Sequence, residues 1–387
     1  MKTIVKRILL AASLLAAVGL FVFNLAKPVP IVVPTPVMPN PNAYDFFVRA
    51  GDVLVHDNLI YDPKTNITHF LSENAAALKI VRQGFVYPCL HPPVRGAPTS
   101  ADFAKSTKLR HLGRLLMMEG TVKSAAGNWF GAANSDVDAI ELGVDINQGA
   151  PLLENTDGTS CEALGRANLW DSIDHLNAAQ VHAITSRLNS LLQRKMTYGA
   201  MLMEEKWFGI DLRLRTLSSK PNIMSIIWSK QAVIRSYAKY MDSMIAQSAL
   251  PFSQSRLPLP SPRDPWNAMW GPIYERAKFP FWRNDTEDSL LLTTLALRAY
   301  FRDHNAYPNS LNNLIPTYLK SIPVDPLGTG PFKYRTTGKS YLLYSIGPDG
   351  VDNGGKPIDD PTRVTSPRAR YFAREESKGD IVAGINR

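Results

Sequence analysis

Asp171, His175 and His182 stand at i, i+4 and i+11. On a single helix they would share a face, and a carboxylate beside two imidazoles can transfer protons or ligate a metal ion. Trp170, Ile173 and Leu176 give the same stretch an apolar side, so the trio reads equally as the polar side of an amphipathic helix. Cys89-Leu90-His91 sets a thiol near an imidazole, but Pro88, Pro92 and Pro93 surround it and favour a rigid loop. Glu204-Glu205 reads as a solvated helix end. Trp266, Trp270, Phe279, Phe281 and Trp282 can stack on sugars, form a partner surface or pack between domains. Gly338-Lys339-Ser340 has the ending of a phosphate loop. The position where that motif needs its first glycine is Lys333, however, and the segment lies between two strand-like runs, so it reads as a hairpin turn. Neither HExxH nor GxSxG occurs. From Tyr341 to Gly355 an apolar run passes into a loop of glycines and aspartates, which suggests a cation site or a tight turn.

The elements that must position these residues fall into four stretches. Lys2, Lys6 and Arg7 precede an apolar run from Ile8 to Ala26. Its length approaches the ~20 residues that cross a bilayer as a helix, and the preceding charge holds the N-terminus in the cytoplasm. Residues 1–26 are therefore expected to be a single-pass, uncleaved anchor in a bacterial inner membrane, with the bulk of the chain extracytoplasmic. A cleaved signal peptide is the competing reading, and Asn24-Leu25-Ala26 suits cleavage poorly. Residues 27–42 carry six prolines and predict a polyproline spacer of roughly 50 Å, at ~3.1 Å per residue. Residues 43–284 repeat apolar positions at helical spacing: Leu109, Leu112, Leu115 and Leu116, then Val181, Ile184, Leu188, Leu191 and Leu192. Ser72 is the expected N-cap of a helix over 71–81, and 226–245 predicts another long helix. Proline-rich breaks at 87–98 and 250–265 separate the blocks, and no fixed-period repeat appears.

With 45 % hydrophobic residues the chain can bury a sizeable core. The net charge of +9 is spread along the sequence, which argues against nucleic acid and suits an anionic lipid or cell-wall surface. The two cysteines, Cys89 and Cys161, lack zinc-site spacing, and spacing alone leaves a disulfide open.

Residues 285–387 predict a helix from Thr286, apolar nearly all round, then a short helix, a turn at 324–328 and paired strands. The ordered pieces are Ala299-Tyr300 with Tyr307-Pro308, Asp325-Pro326 with Gly328, the strands, Ser345-Ile-Gly-Pro-Asp-Gly350 with Gly354-Gly355, and Gly379-Asp-Ile381. This set resembles the globular domain of type II secretion major pseudopilins over roughly a quarter of the chain. The resemblance implies a helix on a small antiparallel sheet and a calcium ion pinning the loop. Asp349 matches a ligand position, while Asp352, Asp359, Asp360 and Asp380 compete for the second acidic ligand, because this loop is longer than the family's. About 240 residues separate the apolar segment from this module, and the prepilin peptidase signature is missing. Both depart from the family and leave filament assembly in doubt.

The expected fold class is thus α+β: a transmembrane helix, an irregular all-α domain and a small pseudopilin-like C-terminal domain. The expected function is a non-enzymatic, membrane-anchored envelope scaffold or binding protein, with an envelope-protein or cell-wall partner. An envelope hydrolase working through the helical block and a component of a secretion or pilus-like assembly are the alternatives.

Overall fold

The computed structural model describes residues 31–57, 60, 62, 66–217, 229–363 and 369–386. Helices dominate. α1 (Ala43–Asp52), α2 (Ile67–Glu73), α3 (Ala75–Gly84), α4 (Ser100–Ala125), α5 (Trp129–Ile146), α6 (Leu152–Ser172), α7 (Ala178–Arg194), α8 (Tyr198–Thr216) and α9 (Lys230–Ser248) precede two single helical turns and the long α10 (Gly271–His304). Three short strands follow: β1 (Lys333–Thr336), β2 (Tyr341–Ser345) and β3 (Ile381–Val382). They form one antiparallel sheet in sequence order, with Tyr334 opposite Leu343 and Ser345 opposite Ile381.

This corrects the expected α+β organisation. Strands of four, five and two residues form too small a sheet to stand alone. They close instead over the core of the helical body. Leu343, Ile358 and Ile381 share one apolar cluster with Val137 and Ile140 of α5, Ile184 and Leu188 of α7, and Leu291 and Leu295 of α10. The boundary expected near residue 284 falls inside α10. Among the described residues no helix is long and apolar enough to cross a membrane; the anchor expected over residues 8–26 lies outside the described residues. The described part of the proline-rich segment rests on the body, with Ile31 and Val33 packed against a cluster of α8 and α9 side chains.

α5 is the central helix. One face, through Ala139, Leu142 and Ile146, joins a core with α1, α2, α3 and α4. The opposite face joins α7 and α10. Its crossing with α6 is a backbone contact: a Cβ built at Gly158 would lie 2.3 Å from the Gly143 carbonyl oxygen, and one at Gly165 would lie 2.2 Å from that of Asp136. Only glycine allows that approach. A helix buried on both sides must neutralise any charge it carries. Arg187 of α7 accordingly pairs with Asp138 at 2.6 Å and Glu141 at 2.5 Å, and Arg194 pairs with Glu141 at 2.8 Å and with Asp145.

A second ionic network fastens α6 to α10. Arg166 reaches Asp288 and Glu287, each at 2.6 Å. Lys195 lies 3.0 Å from Glu162, 2.9 Å from Asp285 and 2.5 Å from Asp288. Glu162, fully buried, also accepts from Asn147 and Asn284, both at 3.1 Å. Its pairings satisfy both carboxylate oxygens, which is the condition for keeping a charge in a core.

Candidate functional site

The structure disperses the trio that sequence spacing gathers. Asp171 ends α6, exposed. A 3₁₀ turn from Ile173 to His175 follows, then Leu176 and Asn177 are extended before α7 begins. The single helix face is therefore broken. His175 stacks on Trp129 with ring centroids 3.7 Å apart. His182 lies 2.8 Å from Asp303, whose carboxylate also accepts from Tyr318 at 2.8 Å. Of the aromatic run, Phe279 and Trp282 pack with Phe252, and Phe281 packs on Tyr198, so these three rings serve the core. Residues 337–340 form the turn between β1 and β2, closed by Thr337 N–H donating to Ser340 at 3.0 Å.

Asp349, Asp352 and Asp380 gather at the acidic loop, while Asp359 and Asp360 do not join them. Arg370 holds Asp359 at 2.5 and 2.7 Å, and Arg363 holds Asp360 at 2.9 Å. Asp380 is buried and accepts from the N–H groups of Asn353 (3.2 Å) and Gly355 (2.7 Å). Asp349 accepts from Val351 at 3.1 Å and Gly379 at 3.3 Å; Asp352 accepts from Tyr344 at 2.9 Å and Gly354 at 3.0 Å. The bonds from Val351 to Asp349 and from Gly354 to Asp352 are Asx bonds of tight turns, and the others tie the loop to β2 and to the start of β3. Burial, then the charges of Asp352 and Asp349, push the Asp380 carboxyl above its ordinary range. Asp352 also pairs with Lys333 at 3.3 Å. Among the described residues, no group of three His, Cys, Asp or Glu side chains is arranged to hold a metal ion.

A different site forms where α1, α4 and the start of α6 meet the 88–98 loop. The Asn42 side chain, which caps α1, accepts from Leu90 N–H at 3.0 Å and donates to the Leu90 carbonyl at 2.8 Å. Ala43 N–H donates to Pro88 at 3.0 Å, and His91 N–H to Gln148 at 2.7 Å. Farther along, Gly96, at φ +77°, donates to Asp211 of α8 at 2.9 Å. Arg95 donates to the Pro34 carbonyl at 2.9 Å.

The loop so held closes a cavity of ≈ 280 Å³, walled by Tyr44, His91, Phe103, Ser106, Glu154 and Asp157 among others. That volume is near the lower bound of ~300 Å³ for small-molecule sites. His91 is buried, with Nδ1 2.7 Å from the Pro92 carbonyl and Nε2 3.2 Å from the Tyr44 hydroxyl. The carbonyl can only accept, so Nδ1 carries the proton and Tyr44 O–H donates to Nε2. Burial pulls the imidazole down to about 4, so it is neutral near pH 7. Cys89, beside the cavity, is a free thiol that burial pushes well above its ordinary range, as is Cys161. Neither provides a ready thiolate.

The carboxylates of the wall differ in their partners. Asp157 accepts from Ser106 and pairs with Arg110 at 2.5 Å. Asp102 accepts from Thr99 at 2.7 and 2.9 Å and lies 3.6 Å from Lys105. Glu154 stands in the first turn of α6 with no cation at ion-pair distance among the described residues. Burial, followed by the charges of Glu205, Asp157 and Asp102, pushes its carboxyl up to about 7.

Glu205 overturns its reading as a solvated helix end. It is 5 % exposed and accepts from Leu152 N–H at 2.9 Å and from Tyr274 O–H at 3.0 Å. α6 follows Pro151, which has no capping side chain, so Glu205 satisfies an orphan N–H from across the fold. It thereby fixes the turn that carries Glu154. Sequence reasoning did not single out Tyr44, Glu154 or Asp157; the proline-flanked Cys89–His91 segment was the one signal that pointed here.

A larger and more open groove, ≈ 820 Å³, lies beside β1. Its buried Asp325 is already committed to Ser345 Oγ (2.8 Å), Leu327 N–H (3.0 Å) and Ile346 N–H (3.1 Å). The Tyr44–Glu154 cavity is the better candidate because, among the described residues, its Glu154 has no ion pair and no side-chain hydrogen bond to another residue, whereas the carboxylate of Asp325 is fully committed. No known family, curated protein or solved structure matches the chain.

Proposed function

We propose that this chain is an extracytoplasmic binding protein that takes up a small ligand in the cavity between α1, α4 and α6. The supporting observation is the combination of a partly open cavity, a wall of mixed polar and apolar groups, and one half-buried carboxylate, Glu154, without an ion pair while Asp102 and Asp157 in the same wall are paired. A carboxylate drawn partly out of water is costly to keep charged unless a partner completes it. Delivery out of the cytoplasm is read from the basic residues preceding the apolar run of residues 8–26. The site is read as one of binding rather than turnover. His91 is neutral and its nitrogens are occupied, and neither nearby thiol is activated.

The test is a thermal-shift screen of the purified full chain against small ligands of all charge types. A parallel screen uses Leu153→Trp, which fills the cavity from an exposed position on its rim. Ligands that raise the wild-type midpoint and lose their effect in Leu153→Trp are expected. A screen in which every stabilising ligand acts equally on both proteins, or none acts, overturns the reading. Recovery of the native protein in the soluble cytoplasm would remove the assigned location.

A further inference from the structure

We infer that the ligand of this cavity carries a primary ammonium group, with Glu154 as its counter-ion and the Tyr44 oxygen as a second acceptor. The inference rests on the binding reading above and adds the chemistry of the ligand to it.

The charges of the wall sort by what they already hold. Lys105 faces Asp102, and Asp157 is met by Arg110 and Ser106. Arg95 donates to two backbone carbonyls, Val94 at 3.0 Å and Pro34 at 2.9 Å. Glu154 is left without an ion pair among the described residues: Glu205 lies behind the first turn of α6, while Asp157, one turn along the same helix, and Asp102 of α4 already hold their own cations. Glu154, with no ion pair of its own, gains from a cation, because opposite charges brought together in a partly dry site attract strongly.

The neutral groups narrow the choice. Tyr44 spends its proton on His91, so its oxygen keeps lone pairs for an incoming N–H. An ammonium with three donors can bond to both that oxygen and Glu154, whereas a quaternary ammonium has no N–H for either. Tyr44 and Phe103 add π faces that favour a cation and accept an apolar tail.

Isothermal titration calorimetry on the full chain separates the possibilities, using 2-phenylethylammonium, 3-phenylpropanoate, 2-phenylethanol and phenyltrimethylammonium as probes of similar size. The primary ammonium should bind most tightly, and Glu154→Gln should weaken it about tenfold or more, as expected for loss of a charge-assisted bond. Leu153→Trp should abolish binding. Melting of Glu154→Gln at or above the wild-type midpoint would show that it folds. Three results overturn the inference: equal affinity for the anion or the alcohol, equal affinity for the quaternary ion, or an affinity unchanged by Glu154→Gln. If the anion or alcohol binds and Leu153→Trp removes it, the cavity remains a binding site and only the ammonium assignment fails. If no probe binds and the wider screen is also empty, both fail.

Discussion

Asp136 offers a direct test of how the central helix manages charge. It sits on α5 at 1 % exposure, and one carboxylate oxygen has no hydrogen-bond partner. Burial, with Asp171 and Asp138 nearby, outweighs Asn168 and Lys123 and pushes its carboxyl from 3.8 up to about 8. A raised carboxyl means the folded protein holds a proton that the unfolded chain releases. The associated stability is complete below the unfolded value of 3.8 and is lost as pH rises through about 8. At 1.36 kcal/mol for each pH unit between the two values, about 4 kcal/mol of this is lost between pH 5 and pH 9. Asp136→Asn keeps the shape of the protonated acid and cannot ionise. Asp145 and Glu154, both raised to about 7, titrate in wild type and variant alike and cancel in the comparison. Urea unfolding at pH 5, 7 and 9 should show wild type losing several kcal/mol more than the variant, with asparagine the more stable choice at pH 9. Parallel profiles would mean that Asp136 is ionised and solvated in the fold, and would refute the reasoning.

Two further outcomes follow from the same geometry. Lys195→Met should cost ~3–5 kcal/mol in urea unfolding, because it strips the shared cation from buried Glu162 and Asp288; a loss under about 1 kcal/mol would place both carboxylates in contact with water. If a cation joins the acidic loop, excess calcium should raise the melting midpoint of the full chain by a few degrees over chelator and Asp349→Ala should remove the gain; equal melting would leave the loop held by its hydrogen bonds and the Lys333–Asp352 pair.

Local patterns were legible in the sequence where short-range physics decides the outcome. The run from Leu290 to Ala299, apolar nearly all round, is buried nearly all round because α10 lies between α7 and the sheet, with half-buried Arg298 reaching Asp174. The turn between β1 and β2 stands where Gly338, at φ +83°, allows it. The expected N-cap at Ser72 failed for a long-range reason. The chain breaks at Asn74, whose buried side chain bonds both backbone groups of Val55 at 3.0 and 3.1 Å, and no pattern within residues 71–81 encodes that partner. The Asp171–His182 trio failed because periodicity continued through a turn that the backbone does not continue through. The ladder on α5 was open to detection: Asp138, Glu141 and Asp145 recur at helical spacing, as do Arg187 and Arg194. Only the pairing of the two helices, set by the apolar faces, tells which acid meets which base.

The cavity and the C-terminal sheet answer to one helix. Near its start α10 presents Tyr274, whose hydroxyl donates to Glu205; the other oxygen of Glu205 accepts Leu152 N–H, two residues before Glu154. In its middle α10 is clamped to α6 by Arg166 through Glu287 and Asp288. Its last turns carry the apolar face on which β2 and β3 close. The first turn of α6 is therefore held from the end of α10 remote from the sheet, while the sheet is held by the same helix at the other. Residues that set the position of Glu154 need not line the cavity: Glu205 and Tyr274 do so from behind it. This is why Glu205, one of an acidic pair that resembles a solvent-facing helix end by composition, belongs to the architecture of the candidate site.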